Sequence, residues 1–182
     1  MIKVTATTTL LLLCAAMGFA QTPQTFGAWS VYQLAGRNGQ ATTLLQTKSL
    51  EQDVDAQGQP VVLKLDAVCR GGKLYQVAVE TDTPVAKRAM NFSGAVPTTP
   101  VSFQLDGNGP EVQSWAVLDG GHTVSPYSEV MQGKKNRSWI ERVAGTDTLI
   151  LEFRGGSQED PLHARFNTTG ISSALAAAGC SY

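Results

Sequence analysis

The 182-residue chain is poor in the residues that most catalytic and metal-binding motifs need. Its three cysteines lack C-x-x-C spacing and its two histidines do not stand beside them, which disfavours a zinc module or a redox motif. Fourteen basic side chains against fifteen acidic ones form no basic stripe, which argues against nucleic-acid binding. We therefore expect no cofactor and no resident metal.

Long apolar runs are also scarce, and the one present lies at the N-terminus. "MIKVTATTTLLLLCAAMGFAQTPQ" has one early cation, Lys3, then an apolar run and small residues up to Ala20. This order predicts a signal peptide over residues 1–20 and a mature protein in the periplasm or outside the cell. An uncleaved anchor is the alternative, but the run is shorter than the roughly 20 apolar residues of a membrane span. We expect no membrane span after cleavage.

Signal cleavage would remove Cys14 and leave two cysteines, Cys69 and Cys180. Two cysteines allow one intramolecular pair, and an oxidising compartment preserves it. The pattern predicts a disulfide that joins an interior strand to the C-terminal segment. A redox pair or metal site is the alternative, which the wide spacing disfavours.

The remaining chain is typical of one mainly β domain. "VVLKLDAVCR" and "KLYQVAVET" alternate apolar and polar residues around Gly71 and Gly72, which predicts a hairpin with Lys64 and Asp66 on the polar face. We expect residues 21–28 to form a short lead and residues 29–182 a single disulfide-stapled domain. Its fold class is mainly β, either β-sandwich-like or α+β.

Two short helices are predicted in the C-terminal half. "NRSWIERVAG" has Ser138 and Glu141 at the spacing of a capping box, which predicts a helix beginning near Ser138. "GISSALAAAG" places Ile171 and Leu175 on one face, and Gly179 suits its end. The strands "TLILEF" and "LHARFN" lie between the two helices.

The order of these segments resembles the VasI-type proteins, an exported bacterial family known from type VI secretion clusters and other envelope contexts. The likeness covers Trp29 to Cys180, and its matching positions are Cys69, Trp115, Asp119, Gly120, Phe166, Gly170, Ile171 and Cys180. It implies a disulfide between the first and last of these, and it brings no catalytic residues. The family often has Asp-Asp after the first tryptophan, where this chain has "LAGRNGQ".

A hydrolase or ligand-binding site is one hypothesis for function. His122 follows the "DGG" turn and could act as a base beside Asp119, with Glu159 nearby, although no nucleophile motif accompanies them. Glu159, Asp160 and His163 could converge on a metal, but their spacing does not require it. We regard His122 as a turn residue rather than a catalytic one.

The favoured hypothesis is a non-catalytic accessory or interaction module, associated with secretion or envelope assembly. Its partner would be a periplasmic or envelope protein, and its oligomeric state is open. Trp29, Trp115 and Trp139 each fall within a predicted element and should be core residues. Tyr127, in the Pro-flanked loop "HTVSPYSE", is the candidate partner contact.

Overall fold

The computed structural model describes residues 22–35, 41–51, 53–54, 58–82, 84, 96–126, 132–154 and 161–182. The predicted signal peptide, Tyr127 and Glu159 therefore lie outside the described residues. Within these ranges the chain forms β1 (Gln24–Phe26), β2 (Trp29–Leu34), β3 (Thr42–Lys48), β4 (Asp53–Val54), β5 (Pro60–Val61), β6 (Leu63–Arg70), β7 (Lys73–Thr81), β8 (Thr98–Leu105), β9 (Glu111–Leu118), β10 (Thr123–Ser125), α1 (Gln132–Ala144), β11 (Thr148–Phe153), β12 (Leu162–Asn167) and α2 (Ile171–Ala177).

Ten of the described strands form one antiparallel sheet in the order β1-β2-β3-β6-β7-β10-β9-β8-β11-β12. The strands β4 and β5 pair separately with each other. The expectation of a mainly β single domain with two short helices in its C-terminal half is confirmed. Residues 24–26 of the expected lead also join this sheet, because β1 pairs with β2.

The sheet curves so that β12, the strand at one of its edges, contacts the segment that follows β3. Ser49 forms a bridge with Phe166, and the Leu50 amide donates to the Arg165 carbonyl at 2.7 Å. The strands alternate fully buried and less buried positions, as in β11, where every second residue is buried and the others are partly buried. The inward side chains of nearly every strand therefore share one hydrophobic core.

The predicted hairpin between β6 and β7 is confirmed. Gly71 and Gly72 form its two-residue turn with φ of 54° and 75°, values that a residue with a Cβ adopts only at a cost. Arg70 and Lys73 face each other on either side of the turn. The hairpin thus fixes which residues of both strands face the core.

A disulfide holds the C-terminal segment against this hairpin. Cys69 on β6 is bonded to Cys180, and their Cα atoms are 5.9 Å apart, within the usual range for a disulfide. The Ser181 amide donates to the Gly72 carbonyl at 2.8 Å, and the Leu74 amide donates to the Ser181 carbonyl at 3.1 Å. The pairing predicted from the cysteine count is present.

Helix α1 packs against β7 and β9, the two strands on either side of the short strand β10. This strand pairs with only two residues of β7 and three of β9, so it separates these longer strands along only part of their length. Helix α1 packs on β7, and its Trp139 lies edge-on to Trp115 of β9, with ring centroids 5.8 Å apart. Both indoles and that of Trp29 are fully buried, as expected for core residues.

The predicted start of α1 at Ser138 is wrong, because the helix begins at Gln132. Ser138 therefore lies in the second turn and is exposed. Glu141 pairs with the Arg137 guanidinium at 3.1 Å, four residues earlier, instead of capping the helix. The capping-box spacing occurs inside this helix and does not mark its end.

The turn between β1 and β2 packs directly on the turn between β12 and α2. The Ala28 amide donates to the Thr169 carbonyl at 3.2 Å, and Trp29 Nε1 donates to the Thr168 carbonyl at 3.3 Å. A Cβ on Gly170, which has φ of 94°, would lie 2.3 Å from the Phe26 carbonyl oxygen. Only glycine allows this approach, which joins the start of the domain to its end.

Asp106 connects the end of β8 to the start of β11. Its backbone has φ of 45°, which is unusual for a residue with a Cβ. Its Oδ1 accepts hydrogen bonds from the amides of Asp147 at 2.9 Å and Thr148 at 2.8 Å. The side chain thus satisfies two amides where β11 begins.

Candidate functional site

A cleft of about 340 Å³ opens at one end of β6, β7 and β10, next to the "DGG" turn. Three of its residues, Lys64, Glu80 and Thr123, lie on strands and face away from the core. Their neighbours in the chain, Leu65, Val79 and Val124, are buried in the core, and successive side chains of a strand point to opposite faces. The cleft is lined by Lys64, Glu80, Thr81, Asp82, Asp119, His122 and Thr123. It therefore presents three carboxylates, one ammonium and one imidazole.

The "DGG" turn places Asp119 at this cleft in an uncommon backbone conformation. Asp119, Gly120 and Gly121 all have positive φ, at 45°, 66° and 102°. The His122 amide donates back to the Asp119 carbonyl at 3.1 Å and closes the turn. Most residues with a Cβ avoid the left-handed conformation, but Asp and Asn adopt it as single residues, which suits Asp119 to this turn.

His122 is held by the main chain of β7. Its carbonyl accepts from the Thr81 amide at 3.0 Å, and its Nδ1 lies 3.2 Å from the Thr81 carbonyl. Because a carbonyl oxygen can only accept, this contact assigns the proton to Nδ1 of the neutral ring and leaves Nε2 as an acceptor.

Asp119 and His122, which the hydrolase hypothesis paired, line the same cleft without forming a catalytic pair. In a serine-hydrolase triad a carboxylate accepts from the ring N–H that faces away from the nucleophile. Here the Thr81 carbonyl accepts from Nδ1 of His122. Asp119 is therefore a neighbour in the cleft and does not orient the imidazole.

Asp66 lies beside the cleft, and its burial was not predicted. The strand pattern placed it on the polar face of β6, yet its side chain is only 2% exposed. Gln46 of β3 donates to its Oδ1 at 2.9 Å. The pKa of Asp66 is raised to about 7, mainly by burial; the Gln46 hydrogen bond lowers it, and the negative charge of Glu80 contributes to the increase.

A signal for this burial exists in the residues that the sheet places next to Asp66. Ala78 of β7 is its direct partner. Ser125 of β10 donates its hydroxyl to the Val77 carbonyl at 2.7 Å and is the partner of Ala116 of β9. All three are small and nearly fully buried. Small residues on the three strands β7, β10 and β9 permit close packing over the outer face beside Asp66, but only the strand order reveals that these residues are neighbours.

Asp66 and Glu80 form a carboxyl pair across β6 and β7. Lys64 is the direct partner of Glu80, and Asp66 that of Ala78, so the two carboxyls are diagonal neighbours on one face. The Glu80 carboxylate raises the pKa of Asp66, both through its negative charge and by accepting a hydrogen bond from the protonated form. A carboxylate has no donor, so such a bond requires that one of the two groups carries a proton.

The part of the chain that the structure describes contains neither a cluster of metal ligands nor a membrane-spanning helix. There, no three His, Cys, Asp or Glu side chains are arranged to hold a metal ion. No helix among the same residues has the length and apolar character to cross a membrane. The large exposed apolar side chains are distributed over several segments, namely Leu34, Leu50, Tyr75 and Val112.

Comparison of the chain with protein-family models, with curated proteins and with solved structures finds no match. The likeness to VasI-type proteins therefore stays a prediction from the residues quoted above. The cleft and the disulfide are the features from which a function can be inferred.

Proposed function

We propose that this chain is an exported, non-catalytic interaction module that binds a periplasmic or envelope protein through its charged cleft. The observation that supports this most directly is the cleft itself. Lys64, Glu80 and Asp119 supply charges of both signs on the outer face of the sheet. Mixed charges in a concave surface favour the recognition of a complementary charged segment.

The disulfide supports the proposed compartment. A bond between Cys69 and Cys180 persists in an oxidising environment and is uncommon in the cytosol. Together with the predicted signal peptide over residues 1–20, it favours a periplasmic or secreted protein. The partner would then be met outside the cytoplasm.

The residues behind the likeness to VasI-type proteins support a shared fold more than a shared chemistry. Trp115 and Phe166 are core residues, and Gly170 permits the contact between two turns. Asp119 and Gly120 form the turn that borders the cleft. If the likeness reflects kinship, a role in type VI secretion or another envelope assembly follows, with its specificity in the cleft.

Binding of a small ligand is a second candidate, favoured because Asp119 and His122 line one cleft. The ring of His122 keeps Nε2 available as an acceptor. Hydrolysis would also need a nucleophile held by that ring, and among the described residues the hydrogen bonds of His122 do not supply one. This candidate therefore reduces to a ligand-binding protein without turnover.

The test is a pull-down from envelope extract with the oxidised protein as bait. The cleft variant is Lys64→Gln with Asp119→Asn, since Asn tolerates the left-handed backbone of that turn. Glu141→Gln, an exposed change on α1, is the matched control. We expect the native and control baits to retain a stoichiometric partner that the cleft variant loses.

Equal retention of that partner by the cleft variant would refute the cleft as the binding site. Absence of any stoichiometric partner would refute the protein-binding form of the proposal. In that case a shift of the Lys64 or His122 resonances by small molecules from the same extract would support the second candidate.

A further inference from the structure

The carboxyl pair described above joins the interior of the sheet to the cleft. Asp66 is nearly fully buried, whereas Glu80 is exposed and lines the cleft. The two carboxyls are diagonal neighbours on one face of the sheet, so a protonated Asp66 can donate to the Glu80 carboxylate. On the other side of Asp66, the Gln46 side-chain amide of β3 donates to Asp66 Oδ1 at 2.9 Å. The position of a cleft residue thus depends on a proton that is held at the edge of the cleft.

The charged surroundings disfavour a second negative charge at this pair. On its own face, β6 contributes Lys64, whose partners are Lys48 of β3 and Glu80 of β7. The nearest residues of β10, Thr123 and Ser125, are uncharged. Around Glu80 the cleft adds one imidazole and two more carboxylates, from His122, Asp82 and Asp119. Among the described residues, Lys64 is the one cation in the cleft.

We propose that Asp66 and Glu80 form a proton-controlled latch on the cleft. With one proton between them, Glu80 is held toward Asp66 and the pair carries a single negative charge. Loss of that proton leaves two carboxylates that repel each other, and Glu80, the exposed member, moves away from Asp66 into the cleft toward Lys64. The regulatory meaning of this change rests on the proposed binding function of the cleft.

The latch would operate close to neutral pH. Burial raises the pKa of Asp66 to about 7, and the Glu80 charge acts in the same direction. One pH unit on either side of such a midpoint changes the ratio of the two forms by about tenfold. The cleft region therefore gains most of one negative charge between about pH 6 and about pH 8, and a positively charged partner segment should bind more tightly at the higher pH.

The latch is tested by NMR, following the side-chain carboxyl carbons of Asp66 and Glu80 from about pH 4 to about pH 9. We expect the Asp66 carbon to titrate with a midpoint near pH 7 and the Glu80 carbon to sense the same step. The wild-type titration alone can overturn the proposal. An Asp66 midpoint below about pH 5, or a Glu80 carbon unaffected by the Asp66 step, would do so.

A variant separates the pair from the rest of the cleft. In Asp66→Asn the amide oxygen can accept from Gln46 and the amide N–H can donate to Glu80, so the protonated arrangement is kept at every pH. We expect Glu80 to lose its step near pH 7 in this variant. The matched control Asp82→Asn removes a cleft carboxylate outside the pair and should keep that step. Persistence of the step in Asp66→Asn would overturn the latch.

Because these measurements need no partner, they separate the two proposals. A titrating pair in a protein that captures no partner would leave the latch intact and refute the binding function. A captured partner with no step near pH 7 at Asp66 would refute the latch and leave the binding function intact. With both in place, retention of the partner should rise from about pH 6 to about pH 8 for the native protein and stay constant for Asp66→Asn.

Discussion

The contact between the two turns at Gly27 and Gly170 predicts a large loss of stability for Gly170→Ala. Gly170 has φ of 94°, and an added Cβ would lie 2.3 Å from the Phe26 carbonyl oxygen and 2.7 Å from its carbon. Both atoms belong to the backbone, so no side chain can rotate away. The β1–β2 turn would have to move by most of an ångström.

The size of the effect follows from the contacts that such a movement breaks. A positive φ costs a residue with a Cβ about 1–2 kcal/mol. Separation of the turns would stretch the bond from the Ala28 amide to Thr169 and the bond from the Trp29 indole to Thr168. Each is worth about 0.5–1.5 kcal/mol. We expect a total loss of roughly 2–5 kcal/mol in the free energy of unfolding.

Urea unfolding of the oxidised protein, followed by circular dichroism, measures this loss. Gly107→Ala is the matched control, because Gly107 has φ of 74° and open space where its Cβ would lie. It should lose only the conformational contribution of about 1–2 kcal/mol. Equal losses for the two variants would show that the turns are not in close contact and would refute the reasoning.

Three further predictions concern stability. Replacing Cys69 and Cys180 by serine removes a link between residues 111 positions apart, which should lower the free energy of unfolding by up to roughly 4–5 kcal/mol. Urea unfolding with and without reductant checks this, and an unchanged urea midpoint would contradict it. Asp106→Ala removes the acceptor of two amides and should cost about 1–3 kcal/mol, whereas Asp106→Asn keeps an acceptor and should cost less; equal costs would contradict the capping role. Because the pKa of Asp66 is raised on folding, the unfolded state binds fewer protons than the folded state between about pH 4 and about 7. The free energy of unfolding should therefore fall as pH rises through that window, by up to about 4 kcal/mol. Thermal unfolding of Asp66→Asn should lack this fall, and parallel pH profiles of the two proteins would contradict the prediction.

The local parts of this fold could be predicted from the sequence. The β6–β7 hairpin follows from period-two alternation on both sides of Gly71 and Gly72, which are neighbours in the chain. Asp119 and His122 reach one cleft for the same reason, since one turn carries both. Signals that extend over a few residues contain the information that such structures need.

The parts that could not be predicted depend on strand order. Lys64 and Glu80 join His122 only because β10 pairs with β7 from about forty residues away in the chain. The burial of Asp66 likewise depends on small residues of β9 and β10 that only the assembled sheet aligns with it. The start of α1 at Gln132 was missed because a capping-box spacing can also occur within a helix.

The packing of the first turn on the last has a consequence for when the protein can fold. Chains are made from the N-terminus onward, yet the Trp29 indole donates to Thr168 and Gly27 packs on Thr169. The β1–β2 hairpin therefore lacks these partners until Thr168 and Thr169 have been synthesised. Contacts so distant along the chain form slowly. A growing chain that has not yet reached Thr168 thus lacks this closing contact, and its first hairpin stays accessible to a chaperone.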